Sequence, residues 1–254
     1  SIYLVLFGFS YLVTAFYDGA YISGAAAVMV IFNTIIVFAS FLTKPLLSLL
    51  SENFYSEFDV MKTFIKSDKD FLIQRIFNIS IFISLISFVM VLFFGEIVLE
   101  LWLGGLHSQF YSLLIICSCA FVSIIPSRTV SYSLLFSGKM FFPAFLTYVV
   151  SAGVYLFIFN NPSENLEKIA YLYVIGVGLS CLASSSLALK SAEADTKKIF
   201  LSAVLMISAL ASCLLSLSIN EVVKYSGLSI MSIILILILI KERKSVSWLI
   251  KLIR

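Results

Sequence analysis

The chain has 254 residues, of which 61% are hydrophobic, 15% aromatic and only 12% charged, with a net charge of +3. Its mean hydropathy is +1.09. Soluble domains carry roughly twice that charged fraction, so the composition excludes an ordinary soluble fold and predicts an all-α, polytopic membrane protein. The small charge balance, with no basic cluster interleaved with aromatics, points to no nucleic-acid partner.

A helix of about 20 mostly apolar residues crosses the hydrocarbon core. In chain order the apolar runs predict about eight spans, near 2–22, 25–50, 73–95, 109–136, 140–159, 169–189, 198–219 and 222–240. No strand is needed, because lipid admits only helices or closed barrels. The chain opens on Ser1-Ile2-Tyr3-Leu4, already apolar, without an initiator methionine or a basic leader and cleavage signal. It therefore reads as a fragment whose N-terminal part is missing. Asp18 lies near the far end of the first span, and Gly19 to Gly24 are expected to turn the chain. The second span carries Lys44-Pro45.

Residues 51–75 are the one long polar stretch, with Lys62, Lys66, Lys69 and Arg75 beside Glu52, Glu57, Asp59, Asp68 and Asp70. Within it Phe54, Phe58, Met61 and Ile65 recur at three- and four-residue steps. That pattern fits either an amphipathic helix lying on the membrane face or a plain charged connector. After the third span, Glu96 to Ser108 read as a short connection containing WLGG. Pro126 is expected to kink the fourth span. Asn160-Asn161-Pro162-Ser163 reads as a turn. Lys224 would snorkel from the start of the last span.

The placement of lysine and arginine tests this count. Four lie in 51–75, two in 126–139, three in 190–198 and five in 241–254, which are alternate connections and the tail. The opposite connections hold only Lys168 and Lys224. Fourteen against two is a strong bias of the kind that marks the cytoplasmic side, and it predicts a cytoplasmic C-terminus.

Gly176, Ser180, Ser184 and Ala188, then Ser208, Ser212 and Ser216, place small residues at every fourth position. Such ridges favour close helix packing, with a polar substrate track as the second reading. Cys117, Cys119, Cys181 and Cys213 lie in apolar runs without metal spacing and read as small buried side chains. Trp102 fits an interfacial belt. His107 is the single histidine, and no Walker motif is present, so neither hydrolytic nor redox catalysis nor a metal or cofactor is expected. Transport is the class left for a chain of many spans.

Ionisable groups at membrane depth are costly and mark function by default. Lys44, about six residues from the inner end of its span and followed by proline, could meet a phosphate as a point charge or snorkel to the headgroups. The planar fork of Arg128 suits a pyrophosphate, or it anchors the inner face. Arg75 at the inner start of the third span reads first as an anchor. Asp18 suits ion coupling or a helix end. Glu96 and Glu100 read as solvated.

Phe94-Gly95-Glu96-Ile97-Val98-Leu99-Glu100-Leu101-Trp102-Leu103-Gly104 resembles a segment of polysaccharide (O-antigen type) flippases. These belong to the multidrug/oligosaccharidyl-lipid/polysaccharide exporter superfamily. Asp18 with Tyr21-Ile22-Ser23-Gly24, Lys44-Pro45-Leu46 before the polar stretch, and Ser137-Gly138-Lys139 opening the fifth span add to the likeness, which is spread thinly over nearly the whole chain. Ala25-Ala26-Ala27 departs from the Gly-Tyr pair often found there. The resemblance implies a fourteen-span exporter of which this chain is the C-terminal lobe plus the last two helices. Residues 1–189 would form the six-span lobe, with a cytoplasmic connector at 51–72, and 190–254 the final helix pair and basic tail. It implies a bacterial inner-membrane flippase that passes a polyprenyl-pyrophosphate-linked oligosaccharide through a cationic cavity between two lobes. Lys44 and Arg128, with Arg75 behind them, would neutralise the diphosphate. The partners implied are the N-terminal lobe, membrane lipids and polysaccharide polymerase machinery. The alternatives are a multidrug or peptidoglycan-precursor exporter, a membrane-embedded glycan polymerase or ligase, and a non-transporting membrane subunit. The short outer connections argue against the polymerase or ligase.

Overall fold

The computed structural model describes residues 19–55, 65–104, 107–135, 141–161, 165–191 and 196–242. Eight helices cover these residues: α1 Gly19–Tyr55, α2 Ile65–Leu103, α3 His107–Ser118, α4 Phe121–Leu135, α5 Phe141–Asn160, α6 Leu166–Ser191, α7 Thr196–Ser216 and α8 Glu221–Lys241. Six stretches among them are long and apolar enough to cross a membrane. They are Ile22–Ala39, Ile76–Leu103, Phe110–Thr129, Leu166–Leu187, Ile199–Ser216 and Glu221–Lys241, and α5 contributes a shorter apolar run, Tyr148–Asn160. The protein is an all-α polytopic bundle. Without water in the hydrocarbon, every backbone donor and acceptor has to be met inside its own helix.

Helix directions follow from a few contacts. Gly24 lies against Phe110, and the rings of Phe32 and Phe121 stack at 5.0 Å between centroids. Both pairs advance together, so α1 runs parallel to α3 and α4. α2 ends at Leu103 and α3 begins at His107, and Gly95, eight residues before that reversal, faces Leu114, seven residues after it, so α2 runs the opposite way, with the Tyr111 hydroxyl donating to Leu92 O at 2.9 Å. Ser151 Oγ meets Ser180 Oγ at 3.3 Å while Gly176 lies against Val154, which makes α5 and α6 antiparallel. Gly178 faces Leu210, and Gly227 faces Ser212, Leu215 and Ser216, which adds α7 and then α8. The helix ends Tyr55, Ile65, Leu135, Phe141, Ser191, Thr196 and Lys241 therefore gather at one end of the described bundle. We term it the basic end, because fourteen of the lysines and arginines lie in the sequence at or between these helix ends and after the last of them.

Four sequence expectations change. Gly19 to Gly24 do not turn the chain; they form the first turns of α1, and Gly24 is where the ring of Phe110 fits against a bare backbone. The predicted connection at Glu96–Ser108 is helical as far as Leu103, so the exposed Glu96, Glu100 and Trp102 project from α2. Both ends of the polar stretch continue spans, with 51–55 in α1 and 65–75 in α2. Residues 56–64, which carry most of the proposed surface helix, lie outside the described residues, as does nearly all of the first span.

The fourth change concerns the fourth span, which is interrupted at Cys119–Ala120. There the amides of Cys119 and Ala120 donate three residues back, to Ile116 O and Cys117 O. Just before, the Ser118 hydroxyl donates to Leu114 O at 2.7 Å and the Cys119 thiol to Ile115 O at 3.7 Å. Side chains that donate to carbonyls four residues back compete with the helix amides and bend the helix. Pro126 sits inside the continuous α4.

The core is a set of apolar seams. The Phe110–Thr129 stretch is the most enclosed, and the outward faces of α2 and α8 are apolar and exposed. Phe93, Leu101, Val222 and Ile240 are examples, as suits faces turned to acyl chains. Close approach between helices comes from small residues. Gly176 and Ser180 lie against α5, and Ser212 and Ser216 against α8, as the small-residue ridges predicted. Asn220 caps α8, accepting from Val222 N and Val223 N. Asn165 accepts from Glu167 N and Lys168 N at the start of α6.

All four cysteines are free and buried. A thiol reacts as the thiolate, and an apolar surround disfavours that charge and keeps polar reagents out. A membrane-impermeant maleimide is expected to leave all four unmodified in the folded protein and to label them after denaturation. The measurement is intact-mass spectrometry, and rapid labelling of native protein would contradict the packing described here.

Candidate functional site

Charged and strongly polar side chains are rare inside this bundle, so the few that are there define the site. Arg128 lies in α4, seven residues after Phe121. Two turns of helix return it to nearly the same face, the one that α1 covers through the Phe32–Phe121 stack. The side chain is half-buried, and its Nε and Nη1 atoms are fully enclosed. Ser123 and Ser127 look the other way, toward α6, where Ser127 is hydrogen-bonded to Cys181 and Ser123 faces Gly178.

Register places the other predicted cations. At 1.5 Å per residue, Arg128 stands about 10 Å beyond Phe121. That is the level of Ala39 on the parallel α1, and Lys44 comes about one and a half turns further toward the basic end. Counting from the Leu114–Gly95 contact along the antiparallel α2, Arg128 comes level with about residue 81. Arg75 comes about 9 Å further toward the basic end. Lys44, Arg128 and Arg75 thus occupy neighbouring levels of three helices packed against one another at the basic end. The side chains of Lys44 and Arg75 lie outside what is described, as does Asp18 entirely.

Two polar residues were not singled out from the sequence. Asn78 and Glu242 are buried, at 2% and 3% exposure, and Asn78 Nδ2 donates to Glu242 Oε1 at 3.1 Å across 164 residues of chain. A signal for Glu242 existed. The buried residues of α8 are Gly227, Met231, Ile234 and Ile238, and the next step of that stripe falls on Glu242. Asn78 stood in an apolar run of the third span, where an amide is unusual.

The chemistry available is binding. A guanidinium held among apolar side chains meets little competing water, and its fork matches two oxygens of a phosphate. Among the described residues, no group of three or more His, Cys, Asp or Glu is arranged to hold a metal ion. Comparisons with protein-family models, with curated proteins and with solved structures return no match.

Proposed function

We propose that this chain acts as the C-terminal lobe and last two helices of a flippase of the polysaccharide (O-antigen) type. On this reading it carries a polyprenyl-pyrophosphate-linked oligosaccharide from the cytoplasmic to the periplasmic leaflet of a bacterial inner membrane. The observation that carries the proposal is the place of Arg128, a half-buried arginine in an apolar membrane bundle with its Nε and Nη1 atoms enclosed, since ionisable groups at such depth mark function by default. The sequence resemblance supplies the substrate class. The bias of lysine and arginine sets the basic end toward the cytoplasm, so Lys44, Arg75 and Arg128 stand at levels where a diphosphate coming from that side meets them first. The oligosaccharide and prenyl chain need no charged contact. Rocking of two lobes about the headgroup then exposes it on the far side.

The test is made in the full-length protein within its host. Lys44→Ala is expected to reduce surface glycan several-fold, with unchanged membrane insertion, because a point charge gives up less than a bidentate fork. Normal glycan from both Lys44→Ala and Arg128→Ala would remove the cations from the mechanism. Drug sensitivity with intact glycan would instead favour a multidrug exporter.

A further inference from the structure

Helix α8 is held to the rest of the protein by very little. Its buried residues form a single narrow stripe, Gly227, Met231, Ile234 and Ile238, while Val222, Tyr225, Ile233, Leu237 and Ile240 are exposed. The stripe packs on α7, with α2 as the next neighbour. Leu, Ile and Met seams between lipid-bathed helices specify little, because lipid tails are as apolar as the seam and one register packs nearly as well as the next. On α7 that degeneracy is broken by Gly227, whose bare backbone fits against Ser212, Leu215 and Ser216, and on α2 it is broken by one further residue of the stripe. Four residues beyond Ile238, the step falls on Glu242, which is buried and accepts the 3.1 Å hydrogen bond from Asn78 of α2. Its own amide donates to Ile238 O at 2.8 Å, which holds the residue in the cap of the helix.

We infer that the Asn78–Glu242 hydrogen bond is the register lock that positions the final helix pair on the preceding bundle. A polar pair in an otherwise apolar seam penalises every alignment that leaves either member buried and unmatched. Any slide of α8 by one turn moves the carboxylate about 5 Å from the amide. Such pairs set register at a cost in stability, as a lone buried asparagine does in a coiled coil. The lock stands at the basic end, level with Arg128, so it fixes the final pair where the bundle is charged. It requires nothing of the transported substrate, and it holds whatever the protein carries.

The experiment uses the complete protein in detergent, with its cysteines replaced by alanine. Spin labels are placed at two exposed positions, Ile86 of α2 and Ile233 of α8. The interlabel distance distribution and the thermal midpoint are then measured for four variants. Asn78→Leu, which leaves the carboxylate without this donor, is expected to melt about 5 °C lower. Asn78→Leu/Glu242→Leu, which replaces the pair by two apolar side chains, is expected to melt near the parent while its distance distribution broadens or splits. Glu242→Gln keeps a carbonyl oxygen for the amide and is expected to keep one narrow distance, whereas Glu242→Leu is expected to lose it. A narrow, unshifted distance in the doubly apolar variant overturns the inference. So does Asn78→Leu melting with the parent, or Glu242→Gln broadening as far as Glu242→Leu. Unchanged glycan export in any of these variants bears on the flippase reading and not on the lock.

Discussion

Arg128→Ala in the full-length protein is expected to lower surface glycan by about a hundred-fold or more, with the protein inserted at its normal level. Hydrogen bonds to charged groups contribute about 1.5–3 kcal/mol each. A fork that donates two of them therefore accounts for about two to four factors of ten, at 1.4 kcal/mol per factor. The Nε and Nη1 atoms are enclosed, so solvent does little to weaken them. Arg128→Lys separates charge from geometry. It keeps the cation but loses the planar fork, and an intermediate output is expected. The measurement is glycan per inserted copy, alongside the thermal midpoint of each purified variant. If Arg128→Ala exports normally, or if both variants lose glycan only in proportion to lost fold, Arg128 is a structural residue and the transport mechanism loses its central contact.

The second large effect is on stability and comes from a single methyl group. A Cβ on Gly227 would stand 2.5 Å from Ser216 N and 2.8 Å from both Leu215 C and Ser212 O. All three are backbone atoms of α7, which no rotamer change can move. Gly227→Ala must therefore push α8 away from α7 along the seam that holds it. Overpacking of this kind costs about 1–3 kcal/mol, occasionally more, which corresponds to a melting point lower by roughly 5–10 °C in a chain of this size. Gly153 provides the control. It is exposed on α5, and a Cβ there meets nothing within 4 Å. Gly153→Ala is expected to be neutral or to add up to about 1 kcal/mol through helix propensity. Thermal melts of the two purified variants decide the matter. Equal midpoints would mean that α7 and α8 do not approach as closely as described.

Some of the site was readable from residues alone. Arg128 stood out because an arginine inside an apolar run is rare, and in the fold its side chain is half-buried with Nε and Nη1 enclosed. The cysteines read correctly as small buried groups for a similar reason: their environment is set by the run they sit in. Asn78, an amide in an apolar run, and Glu242 were missed because neither shows in the sequence that it meets the other. Glu242 follows Lys241 and precedes Arg243 and looks like part of a solvated basic tail. Its burial arises because the α8 stripe continues one step past the apolar run and meets α2, 164 residues away. The break at Cys119–Ala120 escaped notice because proline is the stronger local signal. The competing donors were Ser118 and Cys119, whose side chains can turn to the preceding carbonyls or away from them.

Hydropathy and the alternation of basic connections determined the class, the approximate spans and the common end on which the charges gather, because bilayer thickness and charge asymmetry act on every segment separately. Which helix faces which, that Phe121 meets Phe32, that Gly227 admits the backbone of α7, and that an amide and a carboxylate close the last seam were decided only by the tertiary structure. Those outcomes depend on pairing between distant segments, and in a chain where nearly every face is apolar no periodicity distinguishes the face that meets protein from the face that meets lipid.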